Sequence, residues 1–294
     1  MKTLLVTGAS GFLGWNICAA ACETWRVVGV ARAHPIAIPG VSVVACDLTR
    51  SADVAALYQN VRPDAVIHAA ATAQPEACQR DPQASRRINV DAVINIAGLC
   101  ADAGIPCVFT STDLVFDGTR PPYRETDSVS PVSVYGEQKV AAEQGILARH
   151  PDALVCRMPL MFGDPGPVAA SFLRGWLAGL TCDRDLPLFV DETRTPVSGR
   201  TAAAGLLMAL GRATGTLHLG GRSRISRYAF GILLAELLGV SQARIQPVRQ
   251  ADIPALAPRP PDVSLDSSKA YALGYDPPPL RRDLEQVLAG LAGC

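Results

Sequence analysis

Tyr135 and Lys139 lie four residues apart in Tyr135-Gly136-Glu137-Gln138-Lys139, a spacing that puts a phenol and an ammonium on one helix face. A free phenol titrates at about 10. A neighbouring ammonium favours phenolate, so the pair predicts a tyrosine drawn toward working pH and usable as an acid/base. Thr112, in Thr110-Ser111-Thr112-Asp113, adds a hydroxyl able to hold a substrate oxygen. A second group of residues does different chemistry. Gly8-Ala9-Ser10-Gly11-Phe12-Leu13-Gly14 is a GxxGxxG between an apolar run and a helical pattern. Glycines there let the backbone approach a pyrophosphate, and the helix N-terminus adds unpaired N–H groups and positive dipole. Alone, each motif has a plain explanation, as an exposed helix pair or an ordinary strand-to-helix turn. Their combination with a strand-end Thr points to dinucleotide-dependent chemistry.

The end of the second apolar run discriminates between nicotinamides. NAD sites usually place an acid there for the ribose 2′-OH. This chain has Ala31-Arg32, and a guanidinium suits a 2′-phosphate through a charge-assisted contact. NADP(H) is therefore the preferred cofactor, with NAD(H) allowed; a solvated surface arginine is the plain alternative.

These side chains need a scaffold, and the hydrophobic pattern supplies one. Strands are predicted at Leu4–Val6, Arg26–Val30, Val41–Ala45, Ala65–His68, Pro106–Thr110 and Ala153–Arg157. Helices are predicted after Gly11, at Ala52–Gln59, as one long element from Ile88 to Ala103, and at Ser133–His150. Alternation at this spacing implies βαβ units and a parallel sheet, and near-continuous apolar strands fit burial on both faces. The fold expected is α/β: a Rossmann-type doubly wound parallel sheet with a smaller C-terminal substrate-binding lobe. The rhythm changes beyond Phe162. Helices are expected at Ala169–Leu180, Ala202–Leu210, Tyr228–Leu238 and Leu280–Leu291, with an irregular proline-rich stretch over Pro247–Pro279. Residues 1–163 are read as the cofactor domain and 164–294 as the lobe. The short strand 216–219 is expected to return to the first sheet.

Composition narrows the function classes. The 294 residues carry 27 Lys+Arg and 27 Asp+Glu, a zero balance with no electrostatic footprint for nucleic acid or an anionic membrane. With 49% hydrophobic and 18% charged residues the chain can bury a large core. Its N-terminus begins like an export signal, with Lys2 before an apolar stretch. Gly8, Ser10, Gly11, Gly14 and Asn16 interrupt that stretch, so it reads as folded structure. The nine cysteines form no CxxC, and the four histidines (His34, His68, His150, His218) are scattered. That argues against a metal site and for reduced thiols in a cytoplasm. His68 is read as a packed strand-end residue.

On these residues the chain resembles the extended short-chain dehydrogenase/reductase superfamily. Gly8 to Gly14 resembles its cofactor loop, and Thr112, Tyr135 and Lys139 its catalytic triad, of which Tyr135 and Lys139 would also contact the cofactor, Lys139 at the nicotinamide ribose. The resemblance implies that Asp47-Leu48 contacts adenine, that Ala69-Ala70-Ala71 lines the cofactor, and that Arg157-Met158-Pro159 forms the turn near the nicotinamide. Within that superfamily the chain is most similar to the dTDP-4-dehydrorhamnose reductases. Ser111-Thr112-Asp113-Leu114-Val115-Phe116-Asp117-Gly118 resembles their STDYVFDG. Pro122-Tyr123-Arg124-Glu125, Pro131 to Gly136, and Arg259-Pro260 with Ser264-Leu265-Asp266 resemble later segments. The catalytically silent regulatory beta subunit of methionine adenosyltransferase shares many of these strings.

The resemblance implies NADPH-dependent reduction of a nucleotide-activated 4-keto-6-deoxysugar, with Tyr135 as general acid. Asp113 and Leu114 would face the sugar. Arg194 and Arg259 are read as phosphate clamps or, equally, as structural ion-pair residues. Leu114 stands where those reductases carry Tyr, and Leu160 where they carry Trp, so the sugar-facing positions differ. A 4,6-dehydratase would need a second carboxylate where Leu114 follows Asp113. An epimerase and a non-catalytic nucleotide-binding subunit are the competing readings. A homodimer is compatible with all of them.

Overall fold

The computed structural model describes residues 1–32, 36–182 and 184–292. His34 and Cys294, counted above, lie outside the described residues. Seven strands form one sheet: β1 (Thr3–Thr7), β2 (Arg26–Ala31), β3 (Val41–Ala45), β4 (Ala65–His68), β5 (Cys107–Thr112), β6 (Leu154–Met158) and β7 (Gly215–His218). Their order is β7-β6-β5-β4-β1-β2-β3, and every pairing is parallel. The short strand expected at 216–219 lies at Gly215–His218 as β7, in parallel pairing with β6.

The edge strand β3 is half-exposed, whereas the inner strands bury both faces, so their side chains alternate between two cores. Leu4, Val6, Ala65, Ile67, Leu154 and Cys156 face one side. Leu5, Val66 and Val155 face the other. The first core is covered by helices α1 (Phe12–Ala21) and α6 (Gly199–Ala209), which pack on each other. The second is covered by α2 (Ser51–Val61), α3 (Ala92–Ala103) and α4 (Val134–Arg149). Each fully buried Leu or Ile in these layers contributes about 1.5–3 kcal/mol. Strand order reverses between β4 and β2 on either side of β1, which opens a crevice at the carboxyl ends of the strands.

A third core holds the remaining elements together. It joins α5 (Phe172–Thr181), α7 (Arg227–Leu238) and α8 (Leu280–Ala292) through Phe162, Trp176, Phe230, Leu234 and Leu284. Strand Leu186–Phe189 pairs in parallel with Ile245–Val248 beside it. The stretch expected to be irregular therefore begins inside a strand, and it also carries the short helix Ser268–Ala272. A buried cross-link ties α4 to β6 and β7. Arg157 donates to both oxygens of Glu143 at 3.0 and 2.8 Å, and its Nη1 lies 3.3 Å from His218 Nε2.

The expected long helix over 88–103 divides in two. A π-helical turn spans Arg87–Asp91 before α3 begins. The wider turn carries one extra residue per loop and buries Asn89, whose amide pairs with Thr72 and Gln138. Two short helices, Pro75–Arg80 and Pro82–Arg86, precede it. Each starts on a proline, which suits a first turn but reads as a loop in the sequence.

Candidate active site

The glycine loop turns as its residue types require. Gly8 has φ +73, and a Cβ there would sit 2.7 Å from the Ala70 backbone. A Cβ at Gly14 would overlap the Gly8 carbonyl oxygen. Gly11 caps α1 without a side-chain hydrogen bond, and no acid stands in the first turn. The helix N-terminus is therefore free to meet an anion. Gly8, Ser10, Gly11, Arg32, Leu48, Ala69, Ala70 and Ala71 line one cleft of about 260 Å³. Thr7 fixes its floor, its hydroxyl accepting from the Ala69 and Ala70 N–H groups at 3.2 Å. His68 sits beneath, 2.9 Å from that hydroxyl, and burial first, then Lys139, hold its imidazole down at about 3. It packs at the strand end as expected.

Other predicted cofactor residues lie elsewhere. Leu13 is in the first core and Phe12 packs against it. Asp47 spends its carboxylate on the Thr49 N–H and hydroxyl, at 3.0 and 2.7 Å, which lowers its pKa. It borders a neighbouring cleft together with Arg32. Pro159 is buried directly after β6 and does not line either of these clefts. Taken together, the residues that do line the first cleft suit a dinucleotide: a glycine-rich turn, an uncapped helix N-terminus and an exposed guanidinium with no acid beside it in the lining.

Thr112, Tyr135 and Lys139 come together where β5 ends against the start of α4. Ser133 opens α4, its hydroxyl accepting from the Gly136 N–H at 3.2 Å, and this aims the first turn at β5. All three residues are buried. Thr112 donates to Asp113 Oδ1 at 3.2 Å and accepts from the Leu114 N–H at 3.2 Å. It also stands within hydrogen-bonding range of the Tyr135 phenol.

One expectation is overturned here. Lys139 was expected to draw the phenol down, yet the Tyr135 pKa is raised. Burial is the largest cause and the neighbouring Asp113 carboxylate the next. The reason is where the ammonium points. Lys139 Nζ donates to the Thr110 carbonyl at 2.7 Å and lies 4.5 Å from the Phe109 ring centroid but 5.9 Å from that of Tyr135. Its own pKa falls to about 8 through burial, with Glu143 opposing. Asp113 is itself raised to about 6 by burial, against Arg194 and Thr112. A phenol held high stays protonated at neutral pH and can donate.

A second cleft of about 410 Å³ begins at Leu114 and is lined by Arg194, Arg227 and Arg259 together with Glu192, Trp176 and Phe189. Arg194 and Arg259, both singled out in the sequence, meet there in different states. Arg194 is buried. It donates to the Thr193 carbonyl at 2.7 Å and the Pro260 carbonyl at 3.3 Å and lies 3.7 Å from Asp113 Oδ2. Arg259 is exposed and stacks over Phe189 at 5.1 Å.

Sequence reasoning missed Arg227, Glu192 and Trp176. Arg227 opens α7 after the capping Ser226, and nothing local distinguishes it from a solvated helix residue. It missed the Asn89–Gln138 pair too, where Asn89 donates at 2.8 Å. Gln138 sits inside the Tyr-Lys motif and orients α4 against the π-helical turn.

Comparison with known proteins bears on this arrangement. Residues 1–292 match the family model "RmlD substrate binding domain". The "Probable low-salt glycan biosynthesis reductase Agl14" of Haloferax volcanii is 31% identical over 294 residues, covering 98% of this chain and 97% of that one. The methionine adenosyltransferase 2 subunit beta of Xenopus laevis is 29% identical over 283 residues, covering 93% and 83%. A crystal structure of a hypothetical dTDP-4-dehydrorhamnose reductase from Sulfolobus tokodaii superposes with a TM-score of 0.82 at 30% identity, covering 92% and 94%. Spanned by that family model over 1–292, the chain belongs to the RmlD substrate binding domain family of the extended short-chain dehydrogenase/reductases.

Proposed function

We propose that the protein is an NADPH-dependent reductase of a nucleotide-activated 4-keto-6-deoxysugar. The observation that carries this reading is the meeting of the buried Thr112, Tyr135 and Lys139 where β5 ends against α4, with Leu114, two residues beyond Thr112, lining the arginine-rich cleft that none of the three lines itself. Residues 1–163 with strand 216–219 hold the cofactor, and residues 164–294 hold the substrate. The named activities of the Haloferax and Sulfolobus relatives support the reductase class. Free thiols at all eight described cysteines, most of them buried, support a reducing, cytoplasmic setting.

Gly8, Ser10 and Gly11 would hold the pyrophosphate, Ala69 to Ala71 and Leu48 would line the cofactor, and Arg32 would meet the 2′-phosphate. When bound, NADPH supplies the hydride that opens the C=O bond. Thr112 hydrogen-bonds the carbonyl oxygen and Tyr135 gives its proton to that oxygen as the alkoxide forms. Solvent returns a proton to the phenolate left behind, while Lys139 stays hydrogen-bonded to the Thr110 carbonyl. Reduction thus consumes one hydride and one proton and yields an alcohol.

The test is to follow NADPH absorbance over a panel of nucleotide keto sugars. Sustained stoichiometric oxidation with one of them supports the reductase. Turnover of a sugar without net NADPH oxidation would make it an epimerase. A second reading, a non-catalytic nucleotide-binding subunit, draws on the ammonium of Lys139 resting on Thr110 and on the methionine adenosyltransferase relative. NADPH binding with no turnover on any panel member would favour it.

A further inference from the structure

Lys139 is an ammonium buried among groups that mostly carry no charge. From β5 it meets the Thr110 carbonyl and the Phe109 ring. From β4 comes His68, held neutral chiefly by burial. From helix Pro75–Arg80 comes Cys78, whose thiol burial raises. On α4 itself stands Tyr135, raised likewise. Among the described residues one carboxylate acts on Lys139, that of Glu143, and it opposes the effect of burial. Glu143 lies four residues along α4, one turn away on the same helix face, and both side chains are buried.

The Glu143 carboxylate is fixed from its other side. Arg157 donates to both oxygens, at 3.0 and 2.8 Å. Arg157 Nη1 lies 3.3 Å from His218 Nε2, and His218 Nδ1 lies 3.1 Å from the Tyr123 carbonyl. A carbonyl only accepts, so Nδ1 carries the imidazole proton and Nε2 accepts from Arg157. The ring is thus neutral, as its burial and the adjacent guanidinium also demand. The same Tyr123 carbonyl accepts from the Asp266 N–H at 2.7 Å. Every hydrogen in this run has one direction, so the carboxylate is held in one place. A buried ion pair docks a helix on a sheet no better than well-packed apolar side chains do. Docking α4 on β6 therefore does not account for a charge at 143; the ammonium one turn away does.

We propose that Glu143 is a positioning residue for the reaction: clamped by Arg157 and His218, its carboxylate is the fixed counter-charge that keeps the Lys139 ammonium beside Tyr135. The inference rests on the reductase reading and names the electrostatic partner of one member of its Thr112-Tyr135-Lys139 set. In this role Glu143 touches neither substrate nor cofactor and acts through Lys139.

The test is an NMR titration of the full chain from about pH 6 to 10, following the Lys139 side-chain amine and the Glu143 carboxyl carbon. In the wild-type chain the Lys139 step, near pH 8, is expected to appear at the same midpoint in the Glu143 signal. Glu143→Gln should lower the Lys139 midpoint by about one unit or more, and the alkaline limb of NADPH-dependent reduction should move with it. Glu143→Asp retains the charge and should restore most of the shift. Arg157→Gln breaks the same bridge but leaves the carboxylate, so the Lys139 midpoint should not fall. An unmoved midpoint in Glu143→Gln, or an equal fall in Arg157→Gln, overturns the proposal. Should the variants not fold, the wild-type chain decides, because a Glu143 signal without a step at the Lys139 midpoint overturns it too. Failure of the reductase reading is seen separately, as a wild-type chain that reduces no keto sugar while the midpoints still move as expected.

Discussion

The two clefts are lined by opposite kinds of donor. The cleft beside β1 relies on backbone: a turn at Gly8, free N–H groups at the start of α1, and alanines that leave room. The cleft beyond Leu114 relies on side chains, three guanidinium groups set among aromatic rings and one shared carboxylate. Backbone donors are positioned by the strand and helix that carry them, so their direction follows from the fold. A guanidinium is available only if its neighbours leave it so, and that is a tertiary property. The chain's zero net charge is therefore compatible with the two phosphate-bearing ligands proposed above, because each would be met locally.

One glycine substitution made in both regions should separate them most sharply. Gly14→Ala places a methyl group against the Gly8 carbonyl and must push α1 off β1. It is expected to abolish measurable NADPH binding and to cost about 1–3 kcal/mol in urea unfolding. Gly175→Ala, on an exposed face of α5 where a Cβ meets nothing within 4 Å, should stabilise by about 0.5–1 kcal/mol. Equal responses would dissolve the contrast. Next in size, Arg32→Gln should raise the Kd for NADPH about tenfold and leave that for NADH unchanged; loss of both would mean that Arg32 serves the fold.

The smallest effect is a pH slope. The native Asp113 carboxyl titrates at about 6 against an ordinary 3.8. The folded chain thus binds more protons than the unfolded one between those values, and this group lowers stability as pH rises through them. The imidazoles of His68 and His218, depressed to about 3 from 6.5, chiefly by burial, act with the opposite sign. They remove stability as pH falls from 6.5 toward 3. Asp113→Asn should delete only the first slope, so the variant gains stability relative to the wild-type chain between pH 4 and 6. Parallel urea midpoints across that range would contradict the assignment.

Much of the first region was legible in the sequence for the reason just given. The glycine loop, the strand ends and the Tyr135–Lys139 spacing are local patterns, and the parallel sheet follows from alternating periods. What could not be read depended on distant partners. The phenol of Tyr135 is raised by burial and then by Asp113, while Lys139 turns to Thr110. Arg227 acquires an unpaired donor only once α5 brings Phe172 and Trp176 against it. Arg194 loses its freedom to the Pro260 carbonyl, 66 residues away in sequence. The π-helical turn at Arg87–Asp91 was hidden because its apolar spacing continues smoothly into α3.

The central claim is that Tyr135 gives up the proton that completes reduction. Single-turnover oxidation of bound NADPH by the preferred keto sugar, compared between the wild-type chain and Tyr135→Phe, tests it most directly. A rate about 100-fold lower or more is expected, with NADPH and substrate still saturating, because the phenol supplies the proton to the forming alkoxide. A Tyr135→Phe rate within a few-fold of wild type, under the same saturating conditions, would contradict it.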